Sequence, residues 1–285
     1  MASVLRKVMT AVSRPKILGI YLAWKLRCLF HIEPLLTIGG GGRISTQRRF
    51  NAYYGVHVQH PQESDFVAVK SLLTPRGVFV DVGANIGQMC VLASSTGGAT
   101  RLLAFEPTHT LASAWHKNVA RNRVPCATLI QAACASRSGT VRFVVSTPMH
   151  NRMLDIPETD DEYKNEIPYL QEVTCVTLDS ACEAAGIDEI RLLKIDVEGA
   201  EFQVLRGAVK LLSRGAIKSI FMEFIPEYIK LMGDDHSERL RWLTGFGYHY
   251  ASIDEKTGQF LPLTEQQVID RQFAGLNIVA RLKDL

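Results

Sequence analysis

The six cysteines (Cys28, Cys90, Cys126, Cys134, Cys175, Cys182) form no C-x-x-C pair and have no histidine at metal-ligand spacing, which argues against a zinc site or a disulfide framework. Buried free thiols in a reducing compartment are the expectation. Long apolar runs are also missing: Lys16, Lys25 and Arg27 interrupt the N-terminal hydrophobic positions well short of the ~20 residues a membrane span needs. With no small-residue cleavage site after that stretch, the cytoplasm is the expected location. Charge of one sign is scarce as well. The 32 basic and 29 acidic residues leave a net charge of +3, and no basic run is long enough to track phosphates, so nucleic acid is not an expected partner. No internal repeat appears, and Gly39 to Gly42, expected to act as a hinge, is the one biased tract.

What is present suits a compact α/β protein. A chain of 285 residues with 47% hydrophobic and 21% charged residues can bury a sizeable core. Residues 1–76 read as a helical extension and linker, and residues 77–285 as the main domain. Apolar spacing over Val4 to Phe30 predicts one or two amphipathic helices, broken near Ser13-Arg14-Pro15. Docking on the main domain is their simplest role. Peripheral contact with a membrane surface is the other, because basic residues flank the apolar face.

From Gly77 onward, strand-like runs alternate with helical patterns: Val78 to Val82, Leu102 to Phe105, Thr128 to Ala132, Leu192 to Asp196 and Ser219 to Phe224. Such alternation predicts a mostly parallel sheet covered on both faces, with ligands at the carboxyl ends of its strands. Asp81, Glu106, Asp196 and Glu223 each fall at or near such an end. Thr140 to Ser146 and Val173 to Leu178 predict extra strands around a long polar loop, and Tyr248 to Ile253 with Leu276 to Arg281 predict an antiparallel C-terminal pair.

The segment Phe79-Val-Asp81-Val-Gly83-Ala-Asn85-Ile-Gly87 puts small residues at a strand-to-helix turn, where backbone can approach a ligand. A dinucleotide site is the obvious competitor, but Asn85 stands where a second glycine would meet the pyrophosphate. A cofactor without a pyrophosphate fits better. Glu106 lies 19 residues after Gly87, where a carboxylate can accept hydrogen bonds from ribose hydroxyls. Its alternative is a first-turn acid for the next helix. For Asp81 the alternative is a buried acid that holds the turn through loop amides without touching ligand.

These residues resemble the FkbM-type family of class I S-adenosylmethionine-dependent methyltransferases. The first cofactor motif is matched by Phe79 to Gly87 and the second by Ala104-Phe-Glu-Pro107, with Asn118 and Asn122 following. Lys194-Ile-Asp-Val-Glu-Gly-Ala-Glu201 with Val204-Leu-Arg-Gly207 is the most diagnostic stretch, flanked by Val176-Thr-Leu-Asp179, Ile220-Phe-Met-Glu223 and Gly245-Phe-Gly-Tyr248. The resemblance covers roughly Gly77 to Tyr250. It implies a Rossmann-like class I methyltransferase fold, a seven-stranded sheet with a C-terminal antiparallel hairpin, and S-adenosylmethionine as cofactor. It also implies methyl transfer to an oxygen, commonly a hydroxyl of a sugar, glycan or glycosylated natural product.

Under that resemblance, Asp81, Gly83, Asn85, Gly87, Glu106 and Asp196 line the cofactor, and the small residues Ala133 and Cys134 admit adenine unless they are plain core. Alcohols are poor nucleophiles, so a base is useful; Asp196 is the first candidate, then Glu198 and Glu223. Asp196 with Glu223 has equally the oxygen donors that Mg²⁺ takes, and the residues alone do not choose between base and metal. Glu201 is expected to complement the dipole of a helix running to Leu212. The acidic loop after Met149 suits a lid, with His150 and Asn151 as substrate-binding candidates. Two other readings stand beside the methyltransferase: a dinucleotide-dependent oxidoreductase, and a domain that binds S-adenosylmethionine without turnover.

Overall fold

The computed structural model describes residues 35–37, 41–45, 63–73, 77–145, 152–153, 169–254, 257–270 and 277–282. The helices expected over 4–30, part of the glycine hinge, and the candidates His150 and Asn151 with most of their loop lie outside the described residues.

The centre of the fold is β3 (Gly77–Val82) beside β10 (Ile190–Ile195). Apart from Asp81 in β3 and Arg191 and Lys194 in β10, both strands are apolar and covered on both faces, as parallel strands between helical layers must be. On one flank β3 is followed by β4 (Ala99–Phe105) and β5 (Ala127–Ile130); on the other β10 is followed by β11 (Ile217–Glu223). These five strands run parallel. The order reverses between β3 and β10, because the chain runs outward from β3 through β5 and then returns to the far side. Such a switch point opens a crevice at the carboxyl ends of the strands.

The sheet continues past β11 through β14 (Asn277–Leu282), β12 (Tyr248–Ile253) and β13 (Phe260–Leu263), all antiparallel to their neighbours. The expected pairing of Tyr248 to Ile253 with the C-terminal strand is present. The sheet nevertheless has eight strands rather than seven. The additional one, β13, holds Pro262, which cannot donate to a ladder and is tolerated because β13 lies at the sheet edge.

Side chains alternate between two cores. Val80, Val82, Leu193, Ile195 and Ile220 join one; Phe79, Leu102, Leu192 and Phe221 join the other. The second core also takes the buried face of α1 (Glu63–Leu72), α2 (Gln88–Ser95) and α3 (His109–Arg121). The extra strands predicted around the polar loop form a separate sheet, β6 (Ala133–Cys134), β9 (Tyr169–Val176), β7 (Gly139–Val145) and β8 (Arg152–Met153) in that order. Near the N-terminus, β1 (Leu35–Thr37) and β2 (Arg43–Ser45) pair as a two-stranded ribbon.

One expected element divides. The helix read as running to Leu212 is split into α5 (Glu201–Arg206) and α6 (Val209–Ser213), after α4 (Leu178–Ala185) in chain order. At the break a side chain on Gly207 would overlap the Ala135 carbonyl oxygen. Asp179 supplies the missing cap: its carboxylate accepts from Lys210 N at 2.9 Å and Leu211 N at 3.0 Å. Two further helices, α7 (Pro226–Leu231) and α8 (His236–Thr244), add Ile229, Leu240 and Leu243 to the first core, and α9 (Glu265–Ile269) precedes the last strand.

Candidate functional site

The loop after β3 is shaped by protein contacts as much as by any ligand. Gly83 and Gly87 adopt φ of 81° and 86°, and Asn85 sits at 50°. A methyl group on Gly83 would overlap the Asp196 carbonyl oxygen, and one on Gly87 would lie 2.8 Å from Trp115 Cδ1. Both glycines therefore meet neighbouring chain directly. Glu106, 4% exposed at the end of β4, holds this loop through Asn85 N at 3.1 Å and holds the start of α3 through Thr108 N at 2.9 Å and Thr108 Oγ1 at 2.8 Å. Burial raises its carboxyl above the usual range against these bonds, which pull it down. An ionised carboxylate offers about four acceptor sites, so one remains after these three bonds.

Asp81 and Lys194 face each other in register across β3 and β10, where the preceding pair on the same face is Phe79 with Leu192. Asp81 is fully buried, and its contacts go to Lys194 at 3.4 Å and Cys90 Sγ at 3.5 Å rather than to loop amides. Burial raises the Asp81 carboxyl, with Lys194 opposing. Lys194 Nζ also reaches Asp196 Oδ2 at 3.2 Å and the Gly83 carbonyl at 3.3 Å. Lys194 therefore pairs with two carboxylates and donates to one carbonyl, while Asp81 Oδ1 meets it as an ion pair without a hydrogen bond. Burial would depress the Lys194 pKa, but Asp196 and Asp81 outweigh it and hold the charge in place.

Lys194 is the residue whose role the sequence reading missed. Its signal was there: a lysine set inside Leu192-Leu193-Lys194-Ile195, a run otherwise suited to a buried strand. A charge in that position requires a partner.

Asp196 projects from the end of β10 with its side chain 46% exposed. Glu198, at φ 55°, and Glu223, at the end of β11, converge on it; one carboxylate oxygen from each lies within 4.8 Å of the others. Glu223 Oε2 is buried with no hydrogen-bond partner among the described residues. Burial first, then Asp196, Glu198 and Glu201, push the Glu223 carboxyl up to about 10, so it carries its proton at neutral pH. The crevice thus holds one neutral and one accessible carboxyl side by side, the arrangement that separates acid and base roles.

Glu201 stands in the first turn of α5 as expected, but it is 1% exposed and turned back on its own loop, accepting from Val197 N and Gly199 N at 3.2 Å each. That loop carries Asp196 and Glu198. Burial raises the Glu201 carboxyl to about 7 from a reference of 4.5. Between those values the folded chain keeps a proton that the unfolded chain releases, so stability falls as pH rises through this window and stays lower above it. Glu201→Gln, which keeps the acceptor oxygen, is expected to gain on the parent by the order of 1–3 kcal/mol between pH 4.5 and pH 8. Urea unfolding at both pH values measures this; a difference that does not change with pH refutes it.

Ala133 and Cys134 lie in β6 at 5% and 2% exposure, with Cys134 among the main core residues and Ala133 in the core of the small sheet. Asp81, Gly83, Asn85, Gly87, Glu106, Asp196, Glu198 and Glu223 therefore gather at the ends of the central strands, whereas Ala133 and Cys134 are packed as core. Among the described residues no helix is long and apolar enough to cross a membrane.

A doubly wound sheet with a small-residue loop after its first central strand, an acid after the second and carboxylates across the switch point gives the chain a Rossmann-like fold. Residues 81–250 match the model of the methyltransferase FkbM domain, and the chain belongs to that family. Among characterised relatives, the methyltransferase sdnD of Sordaria araneosa is 26% identical over 152 residues, 45% of this chain and 59% of that protein. The 31-O-demethyl-FK506 methyltransferase FkbM of Streptomyces tacrolimicus is 28% identical over 165 residues, 47% of this chain and 60% of that protein. The chain thus spans about three-fifths of the length of the curated relatives it matches. A solved precorrin-6y C5,15-methyltransferase from Geobacter metallireducens is 12% identical with a TM-score of 0.40, over 77% of this chain and 87% of that one.

Proposed function

We propose that this chain binds S-adenosylmethionine in the switch-point crevice and transfers its methyl group to a hydroxyl, on a sugar, glycan or glycosylated natural product. The observation that carries this reading is the charge of the crevice. Asp196 and Glu198 converge there with the protonated Glu223, and the Lys194 ammonium beside them is already shared by the carboxylates of Asp81 and Asp196 and the Gly83 carbonyl. A sulfonium cofactor is attracted by such a site, whereas a dinucleotide pyrophosphate is repelled by it.

Bound there, S-adenosylmethionine would supply an electrophilic methyl carbon and a neutral thioether as its leaving group. Asp196 takes the hydroxyl proton on the oxygen not engaged by Lys194. Glu223, protonated, donates a hydrogen bond that orients the acceptor, and Glu198 completes the wall. Glu106 would offer its remaining acceptor site to a ribose hydroxyl while holding Asn85 N, whereas Ala133 and Cys134, packed as core, would have to open before either could meet adenine. His150 and Asn151 contact the acceptor in this reading. Residues 77–285 form the catalytic unit and residues 1–76 its extension, in the cytoplasm.

The test is incubation of the purified protein with methyl-labelled S-adenosylmethionine and a glycan and natural-product panel. Label on a hydroxyl supports the reading; cofactor binding with no labelled acceptor in a cell extract favours a non-catalytic role. Glu106→Ala is expected to weaken S-adenosylhomocysteine about 10- to 100-fold, since it removes a charge-assisted hydrogen bond and loosens the loop as well. Unchanged affinity by calorimetry sinks the ribose assignment.

The triad's spacing favours a second reading. Oxygen donors within 4.8 Å suit a hard cation such as Mg²⁺, which would displace the Glu223 proton. Turnover abolished by EDTA and restored by Mg²⁺ selects the metal; turnover indifferent to EDTA selects Asp196 as base.

A further inference from the structure

Asn118 and Asn122 stand out in the sequence without a task, and the structure gives them one. Asn118 is fully buried and uses its whole hydrogen-bonding capacity. Its Oδ1 accepts from Ser45 N at 2.7 Å and Arg121 Nη1 at 3.3 Å; its Nδ2 donates to Ser45 O at 3.1 Å and Ile86 O at 2.9 Å. Asn122 repeats the pattern on Arg43, accepting from its N and donating to its O, both at 2.7 Å.

The match is geometric. Residues four apart on a helix lie about 6 Å from each other, close to the roughly 6.6 Å between alternate residues of a strand. Two carboxamides, one on α3 and one at its C-cap, therefore stand in for a neighbouring strand beside β2. Alternate residues direct their peptide groups to the same side, so Arg43 and Ser45 face α3 and Ile44 is left to pair with β1. The Ile44 side chain is fully buried in the same core as Ile86 and Trp115.

The same face of α3 seats the cofactor loop. Trp115 lies against Gly87, and Asn118, three residues later, holds the Ile86 carbonyl. One carboxamide is thus shared between β2 and the loop that separates the two cofactor-side glycines. We propose that Asn118 is a positioning residue for the cofactor loop, and that through it the docking of β2 and the binding of S-adenosylmethionine strengthen each other. This rests on the proposed cofactor. Linkage makes the effect reciprocal: what tightens the loop tightens β2, and what releases β2 weakens the cofactor.

The experiment uses the full chain, trypsin, and S-adenosylhomocysteine as probe, with calorimetry in parallel. Cleavage after Arg43, followed by mass spectrometry, reports the opening of β2. In the parent, saturating probe is expected to slow that cleavage about fivefold or more. Asn118→Ala is expected to be cut faster, to bind the probe at least about tenfold more weakly, and to lose the protection. Asn122→Ala touches β2 but not the loop. Faster cleavage accompanied by weaker probe binding in this variant supports the linkage; faster cleavage with unchanged affinity overturns it, because a purely structural clamp gives that result. Equal cleavage of the parent with and without bound probe also overturns it, and needs no variant. Absence of probe binding in the parent removes the cofactor reading and this proposal with it.

Discussion

Gly83→Ala is expected to destabilise the protein by about 2–5 kcal/mol, summing an L residue in left-handed backbone with an overlap that packing cannot relieve. The added methyl would strike the Asp196 carbonyl oxygen, which is fixed in turn because Asp196 N donates to Val82 O at 3.1 Å. That cost is a large share of the roughly 5–15 kcal/mol that holds a domain together. Gly97→Ala is the matched control: its φ is 73°, but nothing lies within 4 Å of the new methyl. It should lose only the conformational part, about 1–2 kcal/mol. Denaturant unfolding of both variants measures the difference. Equal losses would show that Gly83 is needed for its backbone angle alone and does not brace Asp196.

Asp196→Asn is expected to lower kcat by about 10²–10⁴-fold, the range for a positioned base, while S-adenosylhomocysteine affinity stays within about twofold. Asn keeps the shape and the contact to Lys194 but cannot take a proton. Single-turnover kinetics with the labelled acceptor reads the methyl-transfer step. If kcat is retained, the base assignment moves away from Asp196; if probe affinity collapses too, Asp196 acts chiefly on the cofactor.

Much of this site was legible because its residues combine a strand period with a charge where a buried strand ends. Asp81, Glu106, Asp196 and Glu223 each follow an apolar run, and the sheet indeed brings their strand ends together. The relationships between segments were less legible. Lys194 lies in register with Asp81 although the two are 113 positions apart in sequence, and only strand pairing makes them neighbours. Asn118 and Asn122 show their spacing in sequence, but not that Arg43 and Ser45 lie alongside. Local chemistry also concealed two breaks: Pro262 disguised the eighth strand, and the end of α5 at Gly207 is set by the distant Ala135 carbonyl. The glycines show the converse. Their presence marked the sharp turn after β3, while the atoms that exclude a side chain at Gly83 and Gly87 belong to Asp196 and Trp115.

Calorimetric titration of the purified chain with S-adenosylhomocysteine and, separately, with NAD tests the central claim most directly. An acidic crevice with Glu106 behind its loop predicts one-to-one binding of S-adenosylhomocysteine and no heat with NAD. Binding of NAD without S-adenosylhomocysteine would contradict it.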